Sequence, residues 1–360
     1  MRAKAAAAVI LLLCVAGSTE IRAQTAPPVC SQLNDNYTDN TACAKSLLNR
    51  QSLINTSTSI EHIILDRFDI GPNQTEPAGL ELTDPKDILE RLTGNGDISI
   101  APTADVVAPA ASPKWNIWVD GKYSWLDDTS AFTNLDGSLV NAVVGADYKV
   151  TDRLVLGLIG TFETSDLKGR SPLSQKTDGW GGGAYMGLTL TDNLVFSANV
   201  LGTSLDTNAN SGAALFDSTR VQTSEALTGY WYSGTWRFSP SLTFAWSKEW
   251  QDASGGLNAQ TIETAIISPA VQIGDTIAIK DATTVEPWVG AEIDWEVRNK
   301  VVDKVLGTIL NDPNTDLRLQ TGLNFAFGAK AQLALTGEIS GLLLKDSNTY
   351  TAGANFAYQF

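Results

Sequence analysis

Beyond its first two dozen residues, this chain of 360 has no apolar run approaching the roughly 18 residues that a membrane-crossing helix needs. The one early run, Ala5–Ala16, follows Arg2 and Lys4 and precedes Ile21-Arg22-Ala23, which reads as a secretory signal over residues 1–23. Its apolar core is itself too short to span, so any passage through a bilayer falls to strands. Histidine and cysteine are almost absent as well: His62 stands alone, and Cys30 and Cys43 are the two cysteines left once the signal, with Cys14, is removed. Leu13 before Cys14 is not the small residue that lipoprotein processing requires. One histidine and two cysteines argue against a zinc centre, and an even cysteine count in a secreted chain predicts a local Cys30–Cys43 disulfide. Basic residues are outnumbered 25 to 40, and a net charge of −15 argues against nucleic acid as a partner. No Gly-x-Ser-x-Gly elbow accompanies His62, which reads as a plain surface histidine. The glycines at 179 and 181–183 lack the Lys-Ser/Thr of a phosphate loop. Neither an enzyme nor a cofactor is expected.

What the chain does have is ten Trp and eight Tyr, rings suited to strands that meet water and lipid at two interfaces. The chain divides near Pro113. Residues 24–113 lack sustained alternation; they hold a helical stretch over 44–67 and a short capped helix from Asp84, with Pro85 at its first position and Gly94 as its stop. A Pro- and Ala-rich linker over 98–113 follows.

From Trp115 onward the texture becomes period-two. In the last strand Tyr350, Ala352, Ala354, Phe356, Tyr358 and Phe360 share one face, while Thr351, Gly353, Asn355, Ala357 and Gln359 share the other. The same split recurs from Trp236 to Ser247 and from Leu317 to Phe327. A slip of one residue would turn charge into hydrocarbon, so the faces are strongly specified. About twelve such runs are present, at 114–125, 137–150, 153–164, 176–190, 193–204, 219–232, 235–249, 257–273, 282–296, 315–327, 330–342 and 348–360. Tight turns at Thr151-Asp152, Thr191-Asp192, Ser233-Gly234 and Gly328-Ala329 alternate with longer polar stretches at 126–136, 165–175, 205–218, 250–256 and 297–314. The turn over Gly274–Asp281 is longer than its neighbours on that side. Backbone groups at an open sheet edge have no water to bond in hydrocarbon, so the strands must close. The expectation is an all-β fold: a 12-stranded antiparallel transmembrane β-barrel over 114–360, preceded by a short, partly helical N-terminal region. Long loops face outward from the outer membrane of a Gram-negative cell, and the outer-membrane lipid is the partner of the apolar faces.

Parity places Arg237, Glu286, Glu292, Asp294, Arg318 and Glu338 on the inward face. Such charges either tune a lumen that holds a linker, or merely satisfy one another as polar groups in any such interior; the second is the simpler account. A lumen of this size lies between side-chain-filled barrels and open porins, so a plug is expected, from 84–93 or from part of 44–67.

The opening WNIWVDGKYSW, the run VVGADYKVTDRLVLGLIGTFETSD and the closing ANFAYQF with terminal Phe360 resemble the autotransporter β-domain over about residues 115–360. The resemblance implies a type V secretion barrel that carries an upstream segment to the cell surface and retains a linker helix. It also implies folding by the barrel-assembly machinery, which reads a C-terminal signal here corresponding to Tyr358 and Phe360. Ahead of the barrel this chain has only about ninety residues, without β-helix repeats and with Pro-Ala in place of a helix just before the first strand. Two functions are therefore carried forward: translocation or display of a short N-terminal segment, whose extracellular ligand is unknown, or a structural or porin-like barrel with a periplasmic or lumen-plugging N-terminal region.

Overall fold

The computed structural model describes residues 37–68, 113–129, 134–169, 173–209, 214–280, 282–311, 313–328, 330–344 and 346–360. The signal, Cys30 and the 84–93 helix lie outside them.

Among the described residues, twelve strands follow one helix, α1 (Tyr37–Arg67). They are β1 (Trp115–Asp128), β2 (Leu135–Thr151), β3 (Leu154–Lys168), β4 (Ser174–Thr191), β5 (Leu194–Ala209) and β6 (Ala214–Gly229, continued by Trp231–Ser233). The ring goes on with β7 (Trp236–Gln251), β8 (Gln260–Asp275, continued by Ile277–Lys280), β9 (Thr283–Asp303), β10 (Gly307–Asn311 with Thr315–Phe327), β11 (Ala331–Ser340) and β12 (Ser347–Gln359). Each pairs antiparallel with its sequence neighbours, and β12 returns to β1 through thirteen partners from Asn116↔Gln359 to Asp128↔Ser347. The barrel is closed, so no edge is exposed.

Its outward face is greasy. Leu158 is 70% and Trp180 69% exposed, and Ile117, Val119, Leu156, Val200, Leu242, Ile293, Leu319 and Phe356 point the same way. Two aromatic belts bound this band: Trp115, Tyr148, Trp231, Trp236, Phe327, Tyr358 and Phe360 on the tight-turn side, Tyr123, Trp125, Phe162, Trp180, Trp295 and Tyr350 on the other. Trp115 and Trp125 share a face ten residues apart, about 33 Å along the strand and about 25 Å along the axis at the usual tilt, the height of a lipid-facing band.

The outer stretches expected as loops are largely strand. β3, β5, β6 and β9 run on to Lys168, Ala209, Ala214 and Asp303, and the 297–314 stretch is a hairpin with Lys300↔Asn311 and Val301↔Leu310 paired. Beyond the upper belt the outer face meets water, so the pattern inverts. Asp127, Asp136, Lys168, Asp206 and Asp217 are exposed, while Leu126, Leu135, Leu139, Leu167, Leu173, Ile262, Val301 and Leu310 pack inward. A bulge between Glu296 and Arg298 further shifts the parity of β9, turning Val301 to the inside. Reading greasy as outward therefore fails above the membrane although the ladder continues. The long turn over Gly274–Asp281 is also strand: Ile277 pairs with Val285 and Ala278 with Thr284, and Ala282 takes the left-handed conformation (φ 60°) that the tight reversal demands.

Inside the barrel lies α1. At about 1.5 Å per residue its 31 residues cover about 46 Å, enough for the membrane band and the collar above it. It begins seven residues before the stretch expected from sequence. Thr56-Ser57-Thr58-Ser59 is a poor helix-forming run, and Ser57, Thr58 and Ser59 turn their hydroxyls back onto carbonyls one turn earlier. No face of the helix is dominantly apolar, so the lumen, not propensity, stabilises it.

Candidate functional site

The lumen and its helix form the site, and the helix has a direction. Its first described turns, Ala42, Cys43, Ala44 and Leu48, pack against Leu135, Leu167 and Leu310 in the outer collar. Its last turns, Ile60, Ile63, Ile64 and Phe68, pack against Trp118, Val155, Val195, Tyr230 and Ala357 near the tight turns. α1 thus runs from the outer mouth to the inner mouth. Arg67 completes the inner end: its Nε donates to Asp147 at 2.6 Å, Nη1 to Gln359 at 2.9 Å and Nη2 to the Lys114 carbonyl at 2.9 Å. The helix end and the start of β1 are neighbours, so the stretch joining Phe68 to Pro113 is attached at both of its ends to the inner mouth.

Small polar side chains let the helix lie close to the wall and bond to it at every level. Ser46 donates to Asn299 at 2.6 Å, Asn49 accepts from Ser247 at 2.7 Å, and Ser52 donates to Glu163 at 2.7 Å. Further in, Asn55 donates to Asn141 at 2.7 Å and to Ser124 at 3.0 Å, and Ser59 to Asp120 at 2.5 Å. Glu61 accepts from Thr228 at 2.8 Å. Each bond to a buried partner contributes on the order of 1 kcal/mol, but leaving the partner unpaired would cost about 1–3, so the set fixes one rotation and one depth of the helix.

The six inward charges expected from sequence fall into two groups. Arg237 pairs with Glu286 at 2.8 Å near the inner mouth. Arg318, almost wholly buried, holds Glu292 at 2.6 Å, Asp294 at 3.0 Å and Glu338 at 3.3 Å. The sequence reading missed that the helix completes this second group: Arg50 reaches Glu296 at 2.5 Å, Asp316 at 3.4 Å and Asp294 at 3.6 Å. Lys45 pairs with Glu249 at 2.7 Å, and Arg220 bridges Glu163. The available signal was that Lys45, Arg50 and Arg67 are the basic residues of a helical stretch otherwise rich in Ser, Thr and Asn. Without the fold, nothing tied them to particular strand positions.

Between the helix and the wall from β6 to β11, the inner half of the lumen keeps a cavity of about 240 Å³. Glu61, His62 and Asp66 border it from the helix, and Tyr230, Arg237, Glu286 and Asn324 from the wall. His62 is therefore not the surface histidine expected; its ring lies 5.9 Å from that of Trp288 within the barrel. The Arg50–Arg318 cluster borders the cavity's outer end through Glu292. No group of three or more potential metal-binding side chains is found among the described residues.

Cys43 is fully buried and disulfide-bonded. Tyr358 and Phe360 stack at 6.2 Å on the lipid-facing side of β12, where the Phe360 backbone exchanges hydrogen bonds with Trp115.

The sequence profile of the autotransporter β-domain matches residues 117–340, well over half of the chain. The chain belongs to the autotransporter β-domain family. Solved autotransporter barrels share its fold. The β-domain of the Bordetella autotransporter BrkA superposes with a TM-score of 0.54 at 15% identity, over 69% of this chain and all of that one. The translocator domain of NalP from Neisseria meningitidis gives 0.52 at 13% identity, over 76% and 96%. The transport unit of AIDA-I from Escherichia coli gives 0.51 at 12% identity, over 72% and 93%. No curated protein sequence is matched. As a member of this family the protein is a closed barrel of the outer membrane, of a kind that serves transport rather than catalysis. In this autotransporter barrel the helix is followed by a connecting stretch, residues 68–114, before β1 begins.

Proposed function

We propose that this autotransporter barrel displays a very short segment, the residues ahead of α1, at the cell surface, and keeps the stretch between α1 and β1 in the periplasm. The observation that carries the reading is the direction of α1: Cys43 lies in the outer collar and Arg67 beside Lys114 at the inner mouth. The polar fit of helix to wall makes it a resident plug rather than a segment in transit, since its buried cations Lys45, Arg50 and Arg67 each find carboxylates in the barrel. A disulfide between Cys30 and Cys43 would fasten the displayed residues to the outermost turns of the helix. Assembly would rest on the barrel-assembly machinery, with Tyr358 and Phe360 as the exposed aromatic end that it reads, and outer-membrane lipid as the partner of the apolar band.

A protease site inserted near residue 28 and, separately, one near residue 96 test the topology in intact cells. Cleavage near 28 is expected without permeabilisation, and cleavage near 96 only after the outer membrane is opened. Protection of the first site or exposure of the second would refute the reading.

A further inference from the structure

Eleven of the twelve strand pairings join sequence neighbours and are templated by the turn or loop between them. The twelfth, β1 with β12, joins chain more than two hundred residues apart, and its closure entropy is met nowhere else in the ring. The helix is bonded to this seam at three levels. At the inner end Arg67 binds the Lys114 carbonyl at the start of β1 and the Gln359 side chain on β12, both at 2.9 Å. One level out, Ser59 donates to Asp120 of β1 at 2.5 Å, and Asn355 of β12 donates to the same carboxylate at 3.4 Å. Further out, Asn55 donates to Ser124 of β1 at 3.0 Å, and Ser124 shares a 2.8 Å hydrogen bond with Thr351 of β12. Asp120↔Asn355 and Ser124↔Thr351 are themselves register partners across the seam. Lys122, between them on β1, donates to the Asn55 carbonyl at 3.0 Å and to Thr58. On its other side the helix is fixed to the far wall by Lys45 on Glu249 of β7 and by Glu61, which accepts from Thr228 of β6 and Thr243 of β7.

From this arrangement we infer a second role for α1: it is an internal assembly factor that holds β1 and β12 in register, so that the barrel closes around the helix. A helix tied to the far wall presents Asn55, Ser59 and Arg67 along the line where the last ladder must form. Each contact adds to β1 a ready-set acceptor or donor for β12.

The test uses the full mature chain, unfolded in urea and refolded by dilution into detergent micelles, with the closed form scored by its faster mobility on unheated SDS gels. Ser59→Ala removes a seam bond alone and Asn55→Ala a seam bond together with the one to Asn141 of β2, whereas Asn49→Ala removes bonds to the register pair Ser247↔Thr264, whose strands are already joined by a loop. The seam variants are expected to close about fivefold more slowly, the rate lost with one neutral hydrogen bond formed in the rate-limiting step, with Asn49→Ala within about twofold of the parent. A disulfide between Gly121→Cys and Ala354→Cys, lipid-facing partners across the seam, oxidised before refolding, removes the closure entropy and should abolish the difference, even for a variant that otherwise fails to close. Equal slowing by Asn49→Ala, or a defect that persists with the seam crosslinked, would overturn the inference.

Discussion

Replacing Arg50 with Met is the sharpest probe of the plug, because it keeps the bulk of the side chain in the lumen while deleting its charge. Arg50 is about nine-tenths buried and faces Glu296, Asp294 and Asp316, whose side chains are 3% exposed or less. Arg318 already serves Glu292, Asp294 and Glu338, so it cannot neutralise the carboxylates that Arg50 leaves behind. Breaking a buried ion pair on one side costs about 3–5 kcal/mol, most of it the isolation of the remaining charge. With a urea slope of about 2.5 kcal/mol per molar, the unfolding midpoint in micelles should fall by about 1–2 M. Adding Glu296→Gln removes the carboxylate nearest the lost cation, and the double variant should recover part of the loss, because deleting both partners costs less than orphaning one. A midpoint for Arg50→Met within about 0.3 M of the parent would mean that the helix is not held by this cluster, and the account of a charge-locked plug would fail.

Leu158 points outward in the middle of the apolar band at 70% exposed, so Leu158→Arg should cost about 2–4 kcal/mol of barrel stability, while Asp127→Arg above the belt should change it by less than about 0.5; comparable losses in urea titrations of the two would contradict the placement of the membrane. A methyl group on Gly145 would lie 2.5 Å from the Trp118 ring, whose Nε1 donates to Tyr185 at 2.7 Å, so Gly145→Ala should cost about 1–3 kcal/mol and lower the temperature of the mobility shift on gels, and an unchanged temperature would count against that packing.

Period-two alternation with apolar residues on one face holds wherever lipid meets one side of a strand and polar lumen the other. Sequence alone therefore determined the closure and the strand count. It failed where that contrast disappears. Above the upper belt Leu167 and Val301 turn inward while Asp206 and Asp217 face water, and the bulge beside Glu296 reverses the parity of β9, so ladder read as loop. The helix was legible as a helix over part of its length, but not as a strut. Its residues carry no apolar stripe to announce a packing face, and the partners of Asn55, Ser59 and Arg67 lie from 47 to 292 residues away. Those pairings exist only once the barrel has closed, since it is closure that sets Ser124 beside Thr351 and Asp294 beside both arginines. The strand pattern follows from a local contrast of solvents; the choice of which polar groups meet inside belongs to tertiary structure.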